Sequence, residues 1–90
     1  MAQAIVDPAE LRRFAQHLKQ FNQDLRDRLA GLHSHVLALA DTWRDQEHEK
    51  FSQEFEQATR VLQAFLAQGD PYIPFLMRKA ERVESYLGQK

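Results

Sequence analysis

At 90 residues the chain can hold one domain, and a chain of this size buries only roughly 60 to 65% of its unfolded surface, so its stability calls for regular packing or a partner. It has no cysteine, which excludes a disulfide framework, a thiolate metal site and a thiol nucleophile. Twelve Lys and Arg against 13 Asp and Glu, interspersed without a single-sign block, lack the electrostatic footprint of a nucleic-acid binder. No apolar run reaches membrane-spanning length, so membrane insertion is not expected. Met1 to Asp7 has neither the basic start nor the apolar core of a signal peptide. The expected location is the cytoplasm, or outside the cell by a route that needs no cleaved leader.

Asp7-Pro8-Ala9-Glu10 reads as a helix start: Asp7 caps, Pro8 suits the first helical position, and Glu10 can return a capping-box bond to the Asp7 backbone. Leucine then recurs every seven residues at Leu11, Leu18, Leu25, Leu32 and Leu39, with Phe14, Phe21, Leu29 and Val36 in the neighbouring stripe. The spacing predicts one amphipathic helix over about 8–39 with a broad apolar face. The step from Phe21 to Leu29 skips strict zipper positions, which are held by Arg28 and His35, so bundle packing is expected in place of a long coiled coil. Arg12, Arg13, Gln16, Lys19, Gln20, Gln23, Arg26 and Asp27 read as the solvated face. A helix over 8–39 measures about 48 Å at about 1.5 Å per residue, which implies a rod. Gly31 inside it marks a place for a bend or a close helix approach.

A turn is expected at 41–45, Asp41-Thr42-Trp43-Arg44-Asp45, with Thr42 and Asp45 forming a variant capping box and the indole of Trp43 plugging the gap between diverging helices. Helix 2, over about 46–68, opens on acidic residues and carries Phe51, Phe55, Ala58, Leu62 and Phe65 on one face. Gln68-Gly69-Asp70-Pro71 ends it, with Gly69 able to take a positive φ. A third helix, over about 72–87, places Ile73, Leu76, Ala80, Val83 and Leu87 at helical spacing. The fold class is all-α, an antiparallel helical hairpin with a broken C-terminal helix. Helix 3 either extends the hairpin or folds back to make a compact three-helix bundle. Tyr72-Ile73-Pro74-Phe75-Leu76-Met77 is expected as core in the second case and as an exposed partner patch in the first.

Side chains capable of chemistry are present, but not in constellations. His33 and His35 lie two apart on a helix and point about 200° apart around its axis, and His48 begins no zinc-binding pair. Glu47, Glu49, Glu54 and Glu56 fit a helix start and a wet face better than acid-base chemistry. Arg78, Lys79 and Arg82 are interrupted by Glu81 and Glu84 and read as solvated. No enzyme, metal site or cofactor is expected.

Trp43 between two amphipathic helices, Phe51 two helical turns after it, and the total length together resemble the WXG proteins, the early-secreted-antigen-like helical hairpins of type VII secretion. The resemblance implies a hairpin that pairs into a four-helix bundle, as a homodimer or with a sister WXG-like protein, and export in the folded state without a cleaved leader. It also implies that Trp43, Asp45 and Phe51 form a docking surface for a partner, such as a secretion-system component. Two features depart from the pattern. Trp43-Arg44-Asp45 stands where the family name has Trp-x-Gly, and neither Tyr72 nor Tyr86 has an acidic residue four positions later.

Each long helix presents an apolar stripe wider than one neighbour can cover. The expected hairpin or dimer interface comprises Leu11, Phe14, Leu18, Phe21, Leu25, Leu29 and Leu32 on helix 1 with Phe55, Leu62 and Phe65 on helix 2. A secretion substrate, escort or adaptor is one reading of such a protein. An intracellular three-helix adaptor or scaffold with no secretion role is the alternative.

Overall fold

The computed structural model describes residues 6–88. The leader reading at Met1 to Ile5, and Gln89 and Lys90 after Tyr86, lie outside the described residues. Three helices follow one another: α1 Pro8–Leu39, α2 Gln46–Gly69 and α3 Tyr72–Gly88. Asp7 caps α1 by accepting from the Ala9 backbone N–H at 2.9 Å. Glu10, expected to return a capping-box bond, instead lies 3.5 Å from Arg13, one turn further along the helix. α1 runs unbroken through Gly31, and no atom would lie within 4 Å of a Cβ built there, so the glycine marks neither a break nor a close approach.

At the turn, four successive backbone N–H groups from Ala40 to Trp43 donate to carbonyls of Leu37, Ala38 and Leu39, which winds the chain off the end of α1. The N-cap of α2 is Asp45, not Thr42: the Asp45 carboxylate accepts from the His48 N–H at 3.1 Å. An N-cap oxygen accepts from the N–H two or three residues on, so the Asp45 bond to His48 fixes the helix start at Gln46, three residues later than a Thr42 cap would.

The junction between α2 and α3 is gentler than its glycine and prolines imply. Among the described residues no glycine has a positive φ, and Asp70 follows Gly69 with φ −55° and ψ −44°, still right-handed helical. Pro74 sits in the first turn of α3, where its missing N–H would have no helical partner anyway. α3 therefore continues the second arm antiparallel to α1 and packs more extensively on α1 than α2 does. Of the two arrangements open to helix 3, the extended hairpin is formed and the compact three-helix bundle is not. The molecule measures 70 × 19 × 15 Å with a radius of gyration of 20.4 Å, against about 12 Å for a compact chain of this length.

Little is buried in this rod. Ala15, Asn22, Leu66 and Ala80 are the buried side chains among the described residues. Two alanines at the α1/α3 contact let the arms approach closely, which is what small side chains do in a helix pair. The apolar stretch after α2 divides: Ile73, Leu76 and Met77 are half-buried, while Tyr72 and Phe75 are exposed and meet edge to face at 6.4 Å. With α3 extended, the stretch is neither wholly core nor wholly an exposed patch.

Candidate pairing surface

Around α1, at about 100° per residue, the line Ala15, Asn22, Leu29 and Val36, buried at its first two members and half-buried at its last two, faces the second arm. To one side, about 60 to 120° away, lie Phe14, Leu18, Phe21, Leu25 and Leu32; to the other lie Arg12, Lys19 and Arg26. The hairpin consequently has an apolar face and a polar flank. On the apolar face Phe21 meets Phe65 edge to face at 6.4 Å. Phe14, Leu18, Phe65, Tyr72 and Leu76 line a groove of about 310 Å³ there. Phe14 is 57% exposed, Phe21 53%, Leu32 50% and Phe65 48%, values that leave about half of each residue in water. Leu62 is exposed beside them, whereas Leu11, Leu18, Leu25, Leu29 and Phe55 are half-buried. The ten residues expected at a hairpin or dimer interface thus divide between these two settings.

The polar flank is closed by cross-arm ion pairs. The Arg12 guanidinium pairs with Glu84, its Nε donating to Oε2 at 3.3 Å. Asp70 receives two donors from α1, Arg26 on one carboxylate oxygen and the Asn22 amide on the other at 2.9 Å. Arg12, Arg26 and Glu84, read from sequence as solvated, are partly exposed but tie the two arms together. Hydrogen bonding from Arg26, then from Asn22, holds the Asp70 carboxyl below its ordinary range. The Arg12 hydrogen bond does the same for Glu84, and that bond raises Arg12 in return.

A carboxyl whose pKa falls on folding contributes stability above its unfolded value, and that contribution is lost as pH drops through the folded value. The melting temperature should therefore be level from neutrality to about pH 5 and fall below about pH 4. In the Asp70→Asn, Glu84→Gln double variant that acid limb should flatten; an unaltered limb would show that these two carboxyls do not clamp the arms.

At the tip, Trp43 is half-buried and meets His48 at 5.1 Å and Phe51 at 5.7 Å, and Phe51 continues to Phe55 at 6.0 Å. The turn is an aromatic ladder climbing onto α2, with Asp45 fixing the helix start beneath it. Nearby, where α1 and α2 diverge on the polar flank, Arg26, His33, Glu56 and Arg60 edge a cleft of about 730 Å³. No group of three His, Cys, Asp or Glu placed to hold a metal occurs among the described residues, and no helix there is long and apolar enough to cross a membrane.

Sequence reasoning missed Asn22, which belongs to neither the leucine stripe nor the solvated face. Its signal was its place in the seven-residue line Ala15, Asn22, Leu29, Val36, where it is the one polar member.

The molecule is an elongated helical hairpin with a Trp-centred tip and an uncovered apolar face. A family model described as proteins of 100 residues with WXG matches residues 3–85, and the chain belongs to that WXG100 family. The family comprises small helical proteins associated with type VII secretion, not known as enzymes, typically homodimeric or paired with a partner and secreted without a cleaved signal peptide. No curated protein and no solved structure matches the chain.

Proposed function

We propose that the protein acts by pairing its apolar face with that of a second hairpin, another copy or a sister WXG100 protein, to make a four-helix bundle, and that this pair serves type VII-like secretion as substrate, escort or adaptor. The observation that carries this reading is the uncovered apolar face. The solvent-accessible surface is 7237 Å² for 10.6 kDa, whereas a compact monomer of that mass exposes about 5,500 Å². The difference, about 1,700 Å², lies in the range that each partner of an obligate dimer buries. Residues of a shallow-crossing four-helix core come from stripes of this width. Trp43, Asp45 and Phe51 are assigned to partner engagement at the bundle tip.

Light scattering at tens of micromolar is expected to return twice the chain mass, for the protein alone or with its sister. A strict monomer that captures no second hairpin would overturn the pairing. Pairing without export is a second reading, favoured by the want of an acidic residue four positions after Tyr72 or Tyr86. Secretion-dependent appearance of the protein in culture supernatant would exclude it.

A further inference from the structure

The face that a hairpin offers depends on how its arms are slid along each other, and most of this sequence does not choose. The leucines of α1 repeat every seven residues, so a second arm displaced by seven residues meets an equivalent stripe. The cations of the polar flank repeat with the same period, at Arg12, Lys19 and Arg26. Displacement toward the turn would give Glu84 Lys19 in place of Arg12. Displacement the other way would give Asp70 Lys19 in place of Arg26. The second of these would even relax the turn: from Asp70 back to Gln46 the second arm spans about 36 Å, while α1 from Asn22 to Leu39 spans about 26 Å at about 1.5 Å per residue. A slide of one heptad would level the two.

What breaks this degeneracy is the buried line. Asn22 is 1% exposed, and its Nδ2 donates to Asp70 at 2.9 Å, while its Oδ1 accepts no hydrogen bond from the described residues. Asp70 in turn sits where α2 gives way to α3, beside Gly69, which packs against Asn22: a Cβ there would make ordinary van der Waals contact with the amide nitrogen at 3.5 Å. In either displaced register Asp70 loses the Asn22 amide and faces Ala15 or Leu29, neither of which can donate a hydrogen bond from its side chain, so that it keeps at most a cation in place of two donors. Displacement toward the turn also buries the Asn22 amide against Met77. A buried polar group that is left unpaired is strongly unfavourable, and a half-satisfied amide at a helix interface gives selectivity at a cost in stability.

We infer that Asn22, through Asp70, selects the register of the hairpin and so determines which apolar face is offered for pairing. It is a positioning residue, and the inference does not depend on what partner the face takes. Because the chain has no cysteine, introduced thiols report register cleanly. Three double-cysteine chains are compared with a short thiol-to-thiol crosslinker: Arg12→Cys with Glu84→Cys for the observed register, Lys19→Cys with Glu84→Cys for displacement toward the turn, and Arg12→Cys with Met77→Cys for displacement away from it.

With Asn22 present, intrachain crosslinking is expected for the first pair alone. In the Asn22→Leu background, helical content should be retained and one of the displaced pairs should gain at least about tenfold in yield. Asp70→Leu, which removes the other half of the latch, should give the same result. A folded Asn22→Leu chain that crosslinks through the first pair alone would overturn the inference. So would loss of helicity in both variants, since the cluster would then supply stability and not selection.

Discussion

Phe21→Asp is expected to convert the paired protein into a monomer while leaving the hairpin folded. Phe21 is 53% exposed in the single chain and touches Phe65 only edge to face, so an aspartate there keeps access to water until a second hairpin closes over it. Once closed over, the carboxylate is desolvated among Phe14, Leu18 and Leu25 on its own helix, with Arg28, two turns further on, the cation of that stripe. Removing a central aromatic anchor and installing a buried charge should weaken pairing at least about 100-fold, equivalent to about 2.7 kcal/mol. Light scattering should show the mass halved while far-ultraviolet dichroism stays close to that of the parent. Gln16→Asp, on the polar flank, should leave both unchanged. A Phe21→Asp protein with parental mass would show that the apolar face is not where the second hairpin sits.

Ala80→Phe should act on the other side of the same distinction, destabilising the single chain. Ala80 and Ala15 have no exposed surface, and α3 makes its packing on α1 where these methyl groups stand. A ring has no room there without prising the arms apart, and overpacking of this kind costs about 1 to 3 kcal/mol. With each kcal/mol moving the midpoint by about 4 to 8 °C in a domain of this size, a thermal melt should register a fall of roughly 10 °C. Ala64→Phe, on the exposed side of α2, should melt close to the parent. Equal melts for the two variants would mean that α3 does not close on α1.

These two experiments separate what the sequence made legible from what it hid. The long helices were readable because their signals are local and redundant: Asp7-Pro8 at one end, five heptad-spaced leucines, and an aromatic series from Phe51 to Phe65. The direction of α3 was not, because Gly69 permits a reversal without requiring one. Asp70 stays right-handed helical and Pro74 falls in the one turn that tolerates it, so tertiary contact with α1 decided the outcome. The ion pairs were hidden for a related reason. Arg12 and Glu84 are 72 positions apart, and each looks solvated until the arms are aligned. The side of α1 that closes the hairpin and the side that stays open were merged in one broad stripe, since hydrophobic periodicity finds a face but cannot tell which part of it a neighbouring arm will cover.

The two-sidedness of the hairpin also sets how far assembly can go. Its apolar residues lie to one side of the buried line, and the opposite side carries Arg12 with Glu84 and Arg26 with Asp70, charges already matched within the chain. A building block with a single adhesive side has a valence of one. Two such blocks facing each other would consume both apolar sides and turn the matched ion pairs outward, so growth through that face would end at a discrete particle instead of propagating as a stack or filament.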